Sequence, residues 1–141
     1  MKIMAIDYGD VRTGVAVSDE SLTLTGDAWV ISSKNSHEIV LQVIEEAKQR
    51  GVSQIVVGFP RNMDGTVGTR AKKCEGFAES LRSAEKHEIN IILWDERLTT
   101  ISANRILSEV GRFGKKRKKK VDAVAASLIL ESYLNHLKTS S

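Results

Sequence analysis

One stretch constrains the fold of this chain more than any other. It is a short apolar run that ends in an aspartate and is followed by a predicted turn flanked by two glycines. Residues 3–6 are Ile, Met, Ala and Ile, a hydrophobic run typical of a strand covered on both faces. Asp7 then stands at the carboxyl end of that strand. Gly9 and Gly14 bracket a polar stretch before residues 15–18 resume β-type composition, which predicts a β-hairpin. This stretch alone is equally consistent with Asp7 as a turn residue and with Asp7 as a site residue.

The rest of the sequence alternates between helical and strand patterns. Asn35 and Glu38 have capping-box spacing and Gly51 follows as a stop, which predicts a first helix between them. The other predicted strands lie around 27–32, over 54–58 and over 89–94. The other predicted helices lie over 67–86, from about 100 to 110, and over 121–137. The last of these helices is predicted to turn five apolar residues inward, namely Val121, Val124, Ala125, Leu128 and Ile129. This order predicts an α/β fold with a mixed five-stranded sheet, made of a three-stranded antiparallel meander plus two parallel strands, and helices on both faces.

The length of 141 residues suits one domain, which we expect to span residues 1–138 with a short C-terminal tail at 139–141. No apolar run is long enough to cross a bilayer, and the sequence starts with a predicted strand rather than a signal segment. We therefore expect a cytoplasmic protein with no membrane partner. The single cysteine, Cys74, falls on the apolar face of a predicted helix and is expected to pack in the core.

Basic residues are concentrated in one segment. Seven of the 21 basic residues lie there, and the rest of the chain has 14 basic against 18 acidic residues. The seven are Arg112, Lys115, Lys116, Arg117, Lys118, Lys119 and Lys120. Residues 111–120 are predicted to form a flexible loop that offers a local electrostatic contact to a polyanion such as nucleic acid.

Acidic residues follow the strands at comparable places. Asp7 follows the first strand, Asp95 and Glu96 follow the last, and Asp122 lies in the first turn of the predicted final helix. Converging carboxylates repel one another unless their pKa values rise or a divalent cation neutralises them, and oxygen ligands favour Mg²⁺ or Mn²⁺. Two such ions roughly 4 Å apart would suit phosphodiester hydrolysis. Each acid also has a structural explanation, since Asp122 would be favourable near a helix N-terminus and Asp95 would simply end a strand.

Four motifs, in order over nearly the whole chain, resemble the YqgF family of pre-16S ribosomal RNA nucleases, also called Holliday-junction-resolvase-like proteins. They are Asp7-Tyr8-Gly9 with Arg12, Gly14 and Ala16; Val57-Gly58-Phe59-Pro60 with Asn62, Asp64 and Gly65; Trp94-Asp95-Glu96-Arg97-Leu98-Thr99-Thr100; and Lys120-Val121-Asp122-Ala123-Val124-Ala125-Ala126. The resemblance implies an RNase H-like fold, a divalent-metal nuclease site and a role in maturing the 5′ end of 16S ribosomal RNA. It implies Asp7, Glu96 and Asp122 as catalytic and metal-binding acids, with Asp95 as the alternative middle acid.

Two arginines and one loop are candidate contacts to the nucleic acid. Arg12 would flank the first acid and Arg97 the second, where a guanidinium holds a phosphate by two hydrogen bonds. Arg97 is equally compatible with a structural pairing to Asp7 or Asp95. The loop with Asn62, Asp64 and Gly65 is consistent with turn formation and with shaping a substrate groove.

Three other functions compete with a precursor ribosomal RNA nuclease. The aspartate and glycine before the hairpin also resemble the first phosphate motif of actin-like ATPases and sugar kinases, but 141 residues are too few for their second lobe and no P-loop is present. A Holliday-junction (branched DNA) resolvase and a non-catalytic RNA-binding module are the other two. Monomer and dimer remain equally compatible with the sequence.

Overall fold

The structure is a computed structural model that describes residues 1–21, 25–60, 67–85, 88–95 and 115–139. The strands are β1 (Lys2–Asp7), β2 (Arg12–Ser18), β3 (Thr25–Ser32), β4 (Val52–Phe59) and β5 (Asn90–Asp95). The helices are α1 (Ser36–Arg50), α2 (Thr69–Ala84) and α3 (Lys115–Thr139). The helix predicted from about 100 to 110 lies outside the described residues.

The five strands form one sheet in the order β3-β2-β1-β4-β5. β1 pairs antiparallel with β2, and β2 pairs antiparallel with β3, which gives the predicted meander. β1 pairs parallel with β4, and β4 pairs parallel with β5. The predicted mixed five-stranded sheet is therefore confirmed, and β1 is its middle strand.

The side chains of β1 alternate between two hydrophobic cores. Met4 and Ile6 pack with residues of α1 and α2, on what we call the α1/α2 face. Ile3 and Ala5 pack with residues of α3, on what we call the α3 face. Successive side chains of a strand point to opposite faces, so helices cover both sides of the sheet and β1 is buried on both, as its continuous apolar run predicted.

Both ends of α1 agree with the sequence. The Asn35 side chain accepts a hydrogen bond from the backbone N–H of Glu38 at 3.2 Å. The Glu38 carboxylate accepts from the Ser33 hydroxyl at 3.1 Å, and that hydroxyl accepts from the backbone N–H of Asn35 at 3.1 Å. Gly51 ends the helix with φ 72°, a left-handed conformation that suits glycine. The predicted cap and stop are therefore confirmed, with Ser33 completing the cap.

The core of α2 follows the predicted pattern. Its buried residues include Cys74, as the helical spacing indicated. The complete buried set is Ala71, Cys74, Phe77, Ala78 and Leu81. Within the residues described, no helix combines the length and the apolar character needed to cross a membrane.

The start of α3 differs from the prediction. The helix begins at Lys115 rather than near residue 121, so Lys115 to Lys120 are helical and the predicted flexible loop does not include them. The physical reason is that lysine and arginine are good helix formers, and residues 115–139 contain neither glycine nor proline. Mutual repulsion among the cations does not outweigh this preference. The helix ends at Thr139, the first residue of the predicted tail.

The buried side of α3 also differs from the prediction. Among residues 123–138 of the helix, the buried ones are Ala126, Ile129, Leu130, Tyr133 and Leu134. Of the residues expected to face inward, Ile129 is buried as predicted, Val124, Ala125 and Leu128 are only half-buried, and the side chain of Val121 lies outside the described residues. Two neighbouring apolar stripes run along this helix, and helical spacing fits either one. Packing against Ile3, Ala5 and Val56 on the α3 face selects the stripe through Ala126, Leu130 and Tyr133, which shares Ile129 with the predicted one.

Candidate functional site

Asp7 ends β1 in the middle of the sheet. It pairs with Gly14 of β2, two residues beyond the pair between Ala5 and Ala16. Ala5 and Ala16 both belong to the core of the α3 face, so strand alternation puts Asp7 on that face as well. The Asp7 side chain is 18% exposed. Asp7 is therefore a half-buried carboxylate at the carboxyl end of the central strand.

A tight turn after Asp7 fixes the direction of the chain. The Gly9 N–H donates to the Thr13 hydroxyl at 3.4 Å, and that hydroxyl donates to the Gly9 carbonyl at 3.4 Å. Thr13 is fully buried. A Cβ atom at Gly9 would overlap the carbonyl oxygen of Arg12. The turn therefore requires glycine at this position, which gives a physical reason for the Asp-Tyr-Gly sequence.

Helix α2 holds this turn through three contacts. The Tyr8 and Phe77 rings stack with centroids 4.3 Å apart. The Lys73 ammonium lies 3.1 Å from the Asp10 carboxylate. Arg70 Nη2 donates to the Tyr8 carbonyl at 3.1 Å and lies 3.9 Å from Asp7 Oδ1. The first turns of α2 therefore sit beside Asp7.

Sequence reasoning missed Arg70 as a neighbour of Asp7. It proposed Arg12 and Arg97, which are close to acids along the chain, whereas Arg70 is 63 positions after Asp7. A weak signal was present, because Arg70 and Lys73 are spaced to share one side of a helix. The side of the helix that meets the first hairpin depends on how α2 packs, and the sequence does not contain that information.

Asp95 lies on the opposite face of the sheet from Asp7. It ends β5 and pairs with Phe59 of β4. Directly paired residues of neighbouring strands point to the same face, and the Phe59 side chain belongs to the core of the α1/α2 face. Trp94, the preceding residue, is on the α3 face, where its indole N–H donates to the Ser132 hydroxyl at 3.2 Å.

The other predicted acids are described in part. Glu96 lies outside the described residues. Asp122 belongs to α3, but it is eight residues into the helix rather than in its first turn, because the helix starts at Lys115. It is one helical turn before Ala126, which is buried on the α3 face.

The predicted nucleic-acid contacts are likewise described in part. Arg12 is half-buried at the start of β2, five residues after Asp7. The basic run from Lys115 to Lys120 forms the first turns of α3. Arg97 and the loop residues Asn62, Asp64 and Gly65 lie outside the described residues.

Within the described part of the chain, no three His, Cys, Asp or Glu side chains come together in a way that would hold a metal ion. Of the three proposed metal-binding acids Asp7, Glu96 and Asp122, Asp7 is the one whose side chain the structure describes. Its carboxylate oxygens are hard donors, and its partial exposure leaves them reachable from solvent. The donor chemistry of Asp7 therefore fits Mg²⁺ or Mn²⁺.

Comparison with known sequences gives matches along nearly the whole chain. A family model described as "RuvX: Holliday junction resolvase" matches residues 1–136. A protein of Acetivibrio thermocellus named "Putative pre-16S rRNA nuclease" is 44% identical over 137 residues, which cover 96% of this chain and 96% of that protein.

Comparison with solved structures shows the same fold in more distant proteins. RuvC of T. thermophilus in complex with a Holliday junction substrate superposes with a TM-score of 0.63 at 15% identity, covering 96% of both chains. The fowlpox virus Holliday junction resolvase superposes with a TM-score of 0.60 at 11% identity, covering 96% of this chain and 99% of that one. The predicted RNase H-like fold is thereby confirmed. The full-length sequence matches and the shared fold lead to one conclusion: this chain belongs to the RuvX family, also called the YqgF family.

Proposed function

We propose that this chain is a divalent-metal-dependent endonuclease that hydrolyses phosphodiester bonds of precursor 16S ribosomal RNA and matures its 5′ end. The nuclease class follows from the family, whose description is that of a resolvase and whose members include proteins named as nucleases. The observation that carries the proposal is the half-buried Asp7 carboxylate at the carboxyl end of the central strand, with the Arg70 guanidinium beside it. A cytoplasmic location is part of the same proposal.

The proposed catalytic and metal-binding acids are Asp7, Glu96 and Asp122. Two observations support this set over one that contains Asp95. Asp95 lies on the opposite face of the sheet from Asp7. Asp122 belongs to the helix that covers the face of Asp7.

Mg²⁺ or Mn²⁺, in a two-ion arrangement held by these acids, would supply Lewis acidity and an activated water when bound. The residues of the chain contribute binding and orientation. The Asp7 carboxylate is held at the end of a rigid strand by the turn at Gly9, which keeps it in one place. Arg12 and the cations from Lys115 to Lys120 are proposed to hold the phosphate backbone, because positive charge offsets the repulsion between carboxylates and phosphates.

The test is cleavage of an RNA that carries the 5′ end of precursor 16S ribosomal RNA, with cut positions mapped by primer extension. We expect discrete cuts with Mn²⁺ or Mg²⁺ and none with EDTA. If the chain binds this RNA but does not cleave it at any concentration of either ion, the chain is a non-catalytic RNA-binding module rather than a nuclease. The comparison of both ions with EDTA also separates metal dependence from contamination by a metal-independent ribonuclease.

A branched-DNA resolvase is the second candidate. The family description and the RuvC-like fold favour it. A four-way DNA junction, tested beside the RNA at equal concentration, decides between the two substrates. If the junction is cut symmetrically and the RNA stays intact, branched DNA is the substrate. The proposed catalytic acids would remain the same.

A further inference from the structure

Arg70, at the start of α2, lies beside Asp7, with its Nη2 3.9 Å from Asp7 Oδ1. Resting on the nuclease function proposed above, we propose that the guanidinium fork of Arg70 binds two oxygens of a phosphate of the nucleic-acid strand next to Asp7. This role is separate from those of Arg12, Arg97 and the basic run at the start of α3. It makes Arg70 a substrate-binding residue of the site.

The guanidinium is anchored to the backbone rather than to the carboxylate. Its Nη2 donates to the Tyr8 carbonyl at 3.1 Å, a normal hydrogen bond. The distance from Nη2 to Asp7 Oδ1 is 3.9 Å, which is too long for a hydrogen bond. A guanidinium has five N–H donors, and the bond to Tyr8 uses one of them. Arg70 is therefore held by the Tyr8 carbonyl through one of its five N–H donors, and that bond does not use the other four.

The exposed fractions of the two side chains indicate which of them a ligand would reach first. The Arg70 side chain is 56% exposed, whereas the Asp7 side chain is 18% exposed. A loose ion pair with so much exposure contributes little to stability, because water screens it. Fold stability therefore gives no strong reason for an arginine here, and an approaching strand meets the arginine before the carboxylate.

Lys73, one turn further along α2, shows the contrast. Its ammonium lies 3.1 Å from the Asp10 carboxylate, so a direct ion pair neutralises its charge. A phosphate that approaches Asp7 meets the negative charge of that carboxylate. The positive charge of Arg70 offsets this repulsion, and the planar fork of a guanidinium matches two phosphate oxygens.

The test measures binding in EDTA, so that it does not depend on cleavage. The full chain is titrated against a fluorescent single-stranded RNA oligonucleotide at several salt concentrations, and affinity is read by anisotropy. We expect Arg70→Gln to weaken binding about tenfold and to reduce the salt slope by about 0.7. Arg70→Lys keeps the charge and loses the fork, so its salt slope should match the wild type and its affinity should fall between the two.

Lys72→Gln is the matched control. It removes one positive charge from an exposed position of the same helix, two residues from Arg70. We expect its affinity to stay within about twofold of the wild type, because a single charge away from the phosphate acts only through screened electrostatics. Thermal melts of all variants verify that they are folded.

Two results would overturn the inference. One is an Arg70→Gln variant with the affinity and salt slope of Lys72→Gln, even if its cleavage rate falls, since that pattern would mean Arg70 only supports the turn through Tyr8. The other is an Arg70→Lys variant with wild-type affinity, which would rule out the fork even if Arg70→Gln failed to fold. If the chain binds RNA through Arg70 but cleaves no substrate, that result would contradict the proposed nuclease function and would leave the role of Arg70 in binding supported.

Discussion

Asp7 and Asp95 end two strands of the same sheet and lie on opposite faces of it. Asp7 is on the α3 face through the pairing of Ala5 with Ala16, and Asp95 is on the α1/α2 face through its own pairing with Phe59. One strand, β4, lies between them, which puts their backbones two strand spacings, about 9.6 Å, apart. Two carboxylates with this relationship do not share one metal ion without bending the strand end.

We therefore expect Glu96→Gln to lose far more activity than Asp95→Asn. The reason is that a metal ligand must reach the face of Asp7, whereas Asp95 lies on the opposite face of the sheet. Single-turnover cleavage at saturating Mn²⁺ gives the two rates, with thermal melts to verify folding. The reverse ranking would make Asp95, rather than Glu96, the second of the three metal-binding acids. It would also require a bend in the chain after Trp94.

Asp7→Asn should abolish cleavage while the fold stays intact. The change keeps the shape of the side chain and removes the charge that holds a cation, so the loss should exceed the roughly 10- to 100-fold typical of losing an outer partner of a metal ligand. Asp10→Asn is the matched control, since Asp10 is in the same turn, is 66% exposed and pairs with Lys73. Near-wild-type cleavage by Asp7→Asn, or equal losses in both variants, would remove Asp7 from the mechanism.

The basic run should act on binding more than on chemistry. Because Lys116 to Lys119 are helical, glutamine is the suitable replacement: it removes charge while it keeps helix propensity. We expect the quadruple glutamine variant to bind nucleic acid more weakly, with a salt slope flatter by about 0.7 for each phosphate that it no longer neutralises. Its rate at saturating substrate should fall much less than that of Asp7→Asn. An unchanged salt slope would show that this part of α3 is a solvated surface.

The turn after Asp7 should tolerate no side chain at Gly9. Gly9→Ala places a Cβ atom against the Arg12 carbonyl, and relief of such an overlap costs about 1–3 kcal/mol of unfolding free energy. Gly76→Ala is the control, because a Cβ at that exposed helical position meets nothing within 4 Å. It should stabilise the protein by up to about 1 kcal/mol. Urea denaturation measures both, and equal effects would contradict the close approach at Gly9.

The sequence by itself determined the elements whose signals are local. The apolar run before Asp7, the cap at Asn35 and the stop at Gly51 each depend on residues within a few positions of one another. The strand and helix order that they define, with short connections and right-handed crossovers, predicted the mixed five-stranded sheet. The family motifs extended this prediction to the acids Asp7, Glu96 and Asp122, of which the structure describes the Asp7 side chain.

Only the tertiary structure decided the relationships that depend on packing. The α3 sequence fits two apolar stripes that share Ile129, and contact with the sheet selected the one through Ala126, Leu130 and Tyr133. The start of α3 at Lys115 reflects helix propensity that prevailed over charge repulsion. The face of Asp95 follows from its register with Phe59, and the approach of Arg70 to Asp7 follows from how α2 docks beside the hairpin. These relationships join residues far apart in the chain, and local sequence patterns carry no information about such distances.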